Sequence, residues 1–166
     1  MANLIAIASF LIAVILQTTI FVRINILNGA ADLVLITLVA WVIHEQSDAS
    51  VRWGFLAGLL VGVASAFPFW LGAIEYFLVI LFLSAIQARV WQAPLLLLFS
   101  SVFVGTFVIN GMDFLYLFIN GVPLIFDEVF NLVILPSLII NVILALPVFG
   151  IMGELAKQVY PLEVEV

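Results

Sequence analysis

Cysteine is absent from this chain, and histidine occurs once, as His44. The lack of thiols excludes disulfide bonds, thioether attachment of haem, thiolate zinc sites and cysteine nucleophiles. A single histidine also argues against a histidine-based metal cluster. We therefore expect no metal ion and no cofactor.

Charge is scarce as well. The 166 residues include four Lys and Arg and ten Asp and Glu, whereas 67% of the chain is apolar and the mean hydropathy is +1.42. Soluble domains are about 45–50% apolar and about 25% charged, and apolar, aromatic-rich chains do not remain disordered. The net charge of −6 argues against a nucleic-acid partner. The composition indicates an integral membrane protein surrounded mainly by the lipid bilayer.

Long apolar runs with short polar breaks organise residues 1–166 as a single membrane domain. Because about 20 helical residues span the hydrocarbon, each run predicts a transmembrane helix, and the absence of alternation argues against a β-barrel. The predicted helices cover residues 4–22, 30–43, 53–68, 71–88, 94–113 and 129–152. The second run is short, so it is either extended by the preceding residues or shielded by neighbouring helices. We predict an all-α polytopic bundle of six transmembrane helices, with five as the alternative.

The few basic residues predict the orientation of this bundle. With six helices, Arg52, Arg89 and Lys157 fall on one face and Arg23 on the other. Basic residues mark the cytoplasmic side, so both termini are expected in the cytoplasm. Five helices would divide the basic residues equally. The four tryptophans are expected in interfacial belts at the helix ends, and they are Trp41, Trp53, Trp70 and Trp91.

Three acidic residues are candidates for a helix-end or cavity role: Asp32, Glu75 and Asp113. Asp32 follows a turn and opens the second helix, where a carboxylate accepts free amide hydrogens, so helix capping is the favoured interpretation. Glu75 and Asp113 could pair for acid–base chemistry, but solvated outer helix ends are favoured. In this interpretation no ionisable side chain lies at mid-membrane, where it would be costly.

Small residues recur every four positions on the third predicted helix, at Gly54, Gly58, Gly62 and Ala66. Such a face lets two helix backbones approach closely, which promotes association in lipid. The face is expected to pack inside the bundle. Docking of a partner's membrane helix is the alternative.

The remaining candidates have structural interpretations. Pro136 and Pro147 lie inside the sixth run, where proline kinks a membrane helix, and Asn141 between them can hydrogen-bond a neighbouring helix. His44 is expected to be solvated in a polar loop, and no second histidine completes an H-E-x-x-H zinc motif. No nucleophile–base arrangement is recognisable, so we expect no catalytic residues and no enzymatic activity.

The order and spacing of several motifs resemble the bacterial rod shape-determining protein MreD family over most of the chain. These motifs are Asp32–Ile36 after a turn, Trp53–Leu60, Phe67–Gly72, and Leu135–Ser137 followed by Asn141 and Pro147. Two positions depart from the family pattern. Ala31 stands where a proline often precedes the aspartate, and Gly62 stands where the third helix often carries an acid. No role is transferred for that acid.

The resemblance implies a non-catalytic subunit of the cell-elongation machinery in the bacterial inner membrane. It would bind an MreC-like single-pass membrane protein and support peptidoglycan synthesis by RodA and a class B penicillin-binding protein. The MreB cytoskeleton would be linked through the same complex. The implied fold is similar to that of the substrate-binding subunits of energy-coupling-factor (ECF) transporters.

Two other functions stay open at this point. The first is a substrate-binding membrane subunit of a small-molecule, vitamin-type transporter, which would need an outward cavity with converging polar groups. Its polar candidates include Asp32, Glu75, Asn110 and Asp113. The second is an intramembrane enzyme, which would require a catalytic arrangement that the sequence does not display.

Overall fold

The computed structural model of the protein describes residues 2–20, 28–45, 50–89 and 93–159. These residues form six helices: α1 Ala2–Thr19, α2 Leu33–His44, α3 Ser50–Ala64, α4 Phe69–Gln87, α5 Pro94–Ile119 and α6 Phe126–Val159. Helices α4, α5 and α6 are long and apolar enough to cross a membrane, whereas the apolar parts of α1, α2 and α3 are shorter. The described chain is thus a helical bundle with membrane character.

Helix α2 forms the centre of the bundle. Every residue from Leu33 to Val42 is buried, and α2 contacts each of the other five helices. Its 12 residues give a length of about 18 Å. A short helix is tolerated at membrane depth when surrounding protein replaces lipid around it. The structure therefore agrees with a short helix shielded by its neighbours, not with an extended one.

Helices α3 and α4 form the closest helix pair. Gly54, Gly58 and Gly62 all face α4, and a Cβ atom at Gly58 would collide with the Gly72 carbonyl oxygen. Helix α3 ends at Ala64, before the predicted boundary, and Pro68 is the N-cap of α4. Ala66 lies beyond α3 and is exposed, so its predicted place on the small-residue face is wrong.

Helix α6 contains a π-helical segment, Phe130–Ile134, immediately before Pro136. The Leu135 amide bonds the Phe130 carbonyl, five residues back. Proline has no amide hydrogen, so the carbonyl of Leu132 loses its usual helical donor. The Asn28 amide donates to that carbonyl instead, at 3.0 Å. The carbonyl released by Pro136 thus anchors the turn that precedes α2.

Two tryptophans belong to the core, contrary to the prediction of interfacial belts. Trp41 is fully buried and Trp53 is 4% exposed, whereas Trp70 is 46% exposed, as an interfacial residue should be. Trp91 lies outside the described residues. The Trp53 ring packs edge-on against Phe10 and Trp41, with ring centroids 5.9 and 6.5 Å away.

The His44 prediction also needs correction. His44 is the last residue of α2 and is half-buried. Its Nδ1 lies 2.7 Å from the Ala40 carbonyl, and its ring contacts the ring of Phe149 at 4.4 Å between centroids. The His44 side chain therefore packs at the end of α2 against Phe149 of α6 and does not lie in a solvated loop.

We expect Trp53→Phe to lower the free energy of unfolding by about 1 kcal/mol. The substitution keeps an aromatic ring but removes the hydrogen bond from Trp53 Nε1 to Glu45 Oε1, which is 2.9 Å long. Sodium dodecyl sulfate (SDS)-induced unfolding in mixed micelles measures the change. Trp70→Phe is the matched control and should change stability by less than about 0.5 kcal/mol. Equal effects of the two substitutions would contradict the assigned role of Trp53.

Candidate functional site

The turn before α2 lies against α6 and is held by a row of hydrogen bonds. Besides the bond from Asn28, the Ala30 amide donates to Ser137 Oγ at 3.0 Å. The Asp32 amide donates to Asn141 Oδ1 at 2.8 Å. Alternate amides of the turn therefore bond successive turns of α6, although more than 100 residues separate the two segments in sequence.

Gly29 is needed where this turn meets α6. A Cβ atom at Gly29 would lie 2.6 Å from Pro136 Cβ and 2.7 Å from the Ser137 amide nitrogen. Contacts this short do not occur with a side chain unless the backbone moves. The predicted turn before Asp32 contains Asn28-Gly29, a dipeptide typical of turns, and Gly29 is needed there for close backbone packing as well as for turn geometry.

Asp32 connects this turn to α4. Its Oδ1 accepts the Leu35 amide at 2.9 Å, which is the predicted capping bond. The fully buried Tyr76 hydroxyl lies 2.7 and 2.8 Å from the two carboxylate oxygens. Sequence reasoning missed Tyr76, because a tyrosine in an apolar run is ordinarily read as a packing residue. The sequence offered one indication of a polar role for Tyr76, which is that it lies next to the acidic residue Glu75.

Asn141 extends the network to α5. While its oxygen accepts the Asp32 amide, its Nδ2 donates to Thr106 Oγ1 at 2.9 Å. Asn141 and Thr106 are both buried, so these bonds form away from solvent. Asn141 thus hydrogen-bonds a neighbouring helix, as its position in the sequence suggested.

A cavity of about 230 Å³ adjoins this network. Its polar lining comes from α1, the turn, the α3–α4 connection, α4 and α5: Gln17, Thr18, Asp32, Ser65, Glu75, Asn110 and Asp113. The acidic residues of three separate sequence regions therefore meet at one place. The lining residues that the structure describes include no Lys, Arg or His.

Glu75 does not lie at a solvated helix end, so that prediction is wrong. Its side chain is 4% exposed and hydrogen-bonds the Asp113 side chain, while its Oε1 is buried without a donor in the described part of the protein. Glu75 lies in the second turn of α4, and Asp113, which is half-buried, lies six residues before the end of α5. The bundle encloses an acidic cavity that composition alone did not reveal.

A second concavity of about 360 Å³ is almost entirely apolar. It lies between α1, the first half of α2 and α6, and Pro147 is part of its lining. Its α1 residues include Ile12, and its α6 residues include Leu144 and Ile151. We call this surface the α1–α6 groove.

The two sites offer different kinds of contact to a ligand. The acidic cavity offers carboxylate and amide groups that accept hydrogen bonds, whereas the groove offers apolar contact. Within residues 2–20, 28–45, 50–89 and 93–159, no cluster of three or more His, Asp or Glu has metal-site geometry. Comparison of the chain with protein-family models, curated proteins and solved structures gives no match.

Proposed function

We propose that this protein is a non-catalytic, multi-pass subunit of the bacterial cell-elongation machinery in the inner membrane, of the MreD type. It binds an MreC-like single-pass protein and supports peptidoglycan synthesis by RodA and a class B penicillin-binding protein. The MreB cytoskeleton joins through the same complex. Six spans with both termini in the cytoplasm are part of this proposal.

The observation that supports it is the spatial convergence of the motifs behind the resemblance. Asp32 and its turn bond Ser137 and Asn141, in the motif more than 100 residues later. The Trp53–Leu60 motif contributes Gly54 and Gly58 to the contact with α4, where Gly72 closes the Phe67–Gly72 motif. The motifs therefore meet at two packing contacts of one bundle, the turn against α6 and α3 against α4. This arrangement gives their order and spacing a physical reason.

The partner surface is proposed to be the α1–α6 groove. The three glycines of α3 pack against α4, so this face is not available to a helix of another chain. A single-pass partner offers an apolar helix, and a concave apolar surface about 360 Å³ in volume gives such a helix more contact than a convex one. A lipid chain in the same groove is the competing occupant.

The test is co-purification with a tagged MreC-like protein from native membranes. We expect Ile151→Trp, in the groove, to reduce the recovered partner at least about fivefold, because it fills the concavity, a loss of about 1 kcal/mol. Ile143→Trp is the matched control on the same helix. The two side chains are similarly exposed, 61% and 65%, and Ile143 is not part of the groove.

Failure of the unmodified protein to co-purify, together with normal rod shape after its depletion, would refute the proposed function. Recovery of the partner with both tryptophan variants would refute only the groove. The same pull-down also distinguishes a transporter, since ATPases and a coupling subunit would then be recovered.

The acidic cavity favours a second candidate function, the substrate-binding membrane subunit of a vitamin-type transporter. Such a subunit requires a concave site with a few converging polar groups, and the residues around Glu75 provide them. Mass spectrometry of the purified protein tests this candidate. A bound vitamin-like molecule would support it, and recovery of the elongation partner without such a ligand would count against it.

A further inference from the structure

We propose that the acidic cavity binds a small organic ammonium ion, with Glu75 Oε1 as the principal acceptor. This inference goes beyond the scaffold function and does not depend on it. The two can fail separately, because binding is measured without any partner protein.

The first observation that supports this site is the Glu75 oxygen that has no hydrogen-bond donor. A buried polar atom without a hydrogen bond costs about 1–3 kcal/mol, and more when it is charged. Such atoms are rare in folded proteins and call for a specific explanation. Glu75 is 4% exposed and lines the cavity, so a donor inside the cavity is well placed to satisfy Oε1.

The charge of the lining determines the kind of donor. Asp32, Glu75 and Asp113 line the cavity, and the described lining contains no basic side chain. Asp32 already accepts the Leu35 amide and the Tyr76 hydroxyl, and the Glu75 and Asp113 side chains hydrogen-bond each other, which leaves Glu75 Oε1 as the acceptor without a donor. An anion would be repelled. A cation with N–H groups supplies both the charge and the hydrogen bonds.

The volume determines the size of the occupant. At about 30 Å³ for each water molecule, the cavity of about 230 Å³ equals roughly eight waters. That space exceeds a single metal ion, and no cluster of described residues has metal-site geometry. It is smaller than the pockets that hold drug-sized ligands. An alkylammonium ion of roughly five to eight non-hydrogen atoms fits this space.

The test uses n-butylammonium as the probe, with purified full-length protein in detergent and isothermal titration calorimetry. We expect saturable binding that falls at least tenfold in Glu75→Gln, because the amide removes the charge and keeps the shape. Glu154→Gln is the matched control. Glu154 is exposed and pairs with Lys157, so binding should be unchanged. If Glu75→Gln does not fold, Asp113→Asn takes its place with the same expected loss.

Three further probes make the result decisive. Choline, which has no N–H donor, should bind at least tenfold more weakly than n-butylammonium, and neutral n-pentanol and anionic butyrate should not compete. The proposal is overturned if n-butylammonium does not bind, which would mean a cavity holding water alone. Equal binding by wild type and Glu75→Gln would also overturn it.

Discussion

Gly58→Leu should abolish the folded monomer or lower its stability by more than about 3 kcal/mol. At Gly58 the α3 and α4 backbones are in contact: an added Cβ would collide with the Gly72 carbonyl oxygen and would lie 2.7 Å from Ala73 Cα. Both neighbours are backbone atoms, so no side chain can rotate away to make room. Overpacking typically costs about 1–3 kcal/mol even where side chains can adjust. Size-exclusion chromatography and SDS-induced unfolding measure the effect.

The control is Gly150→Leu, on α6. A Cβ atom at Gly150 meets no neighbouring atom within 4 Å, and the residue is exposed. Leucine is also the better helix former, by about 0.8–1.0 kcal/mol at most, so this variant should be as stable as wild type or slightly more stable. A Gly58→Leu protein that unfolds like Gly150→Leu would show that α3 and α4 do not pack as described.

Asn141→Leu should be the most damaging change in the polar network, with a loss of about 1–3 kcal/mol. The leucine has a similar volume, but it leaves the Asp32 amide and the Thr106 hydroxyl without the partners they now have at 2.8 and 2.9 Å. Each buried group left unsatisfied has a cost in that range. Side-chain hydrogen bonds between membrane helices contribute about 0.6 kcal/mol on average, so an effect above that value reflects the double role of Asn141.

Asn120→Leu is the matched control for this experiment. Asn120 is exposed, and its Nδ2 bonds the Tyr116 carbonyl of its own helix, so the change should stay within about 0.5 kcal/mol. A double-mutant cycle of Asn141→Leu with Thr106→Val isolates the bond between these two residues. Additive losses in that cycle would contradict the coupling of α6 to α5.

Much of the architecture follows from hydropathy. The six predicted helices overlap the six helices of the structure, because apolar runs bounded by turns and charges have few alternatives in lipid. Of these six, α4, α5 and α6 are long and apolar enough to cross a membrane. The shifted boundaries are local effects. For example, α3 ends at Ala64 because the chain must turn before Pro68. Helix α5 continues to Ile119, past its predicted end at Asp113, and the Asp113 side chain lines the cavity. An internal acidic residue is a poor marker of a helix end when other helices shelter it.

The polar site was predictable only in part. The capping role of Asp32 is local, because the carboxylate and the amide it accepts are three residues apart. The bonds to Tyr76 and Asn141 depend on how three helices pack, and a single sequence does not encode that packing as a local pattern. The same reason explains why the burial of Glu75 was not predicted. Its burial depends on how α3 and α5 pack against α4, which composition cannot show.

The most direct test of this account is single-cysteine labelling with a membrane-impermeant maleimide. The protein has no cysteine of its own, so Ser65→Cys and Glu154→Cys report without background. Ser65 lines the acidic cavity, and Glu154 is an exposed residue near the end of α6. We expect Ser65→Cys to be labelled in intact spheroplasts, and Glu154→Cys only after permeabilisation. Labelling of both from the same side, or of Glu154→Cys alone in intact spheroplasts, would contradict a bundle whose acidic cavity opens outward.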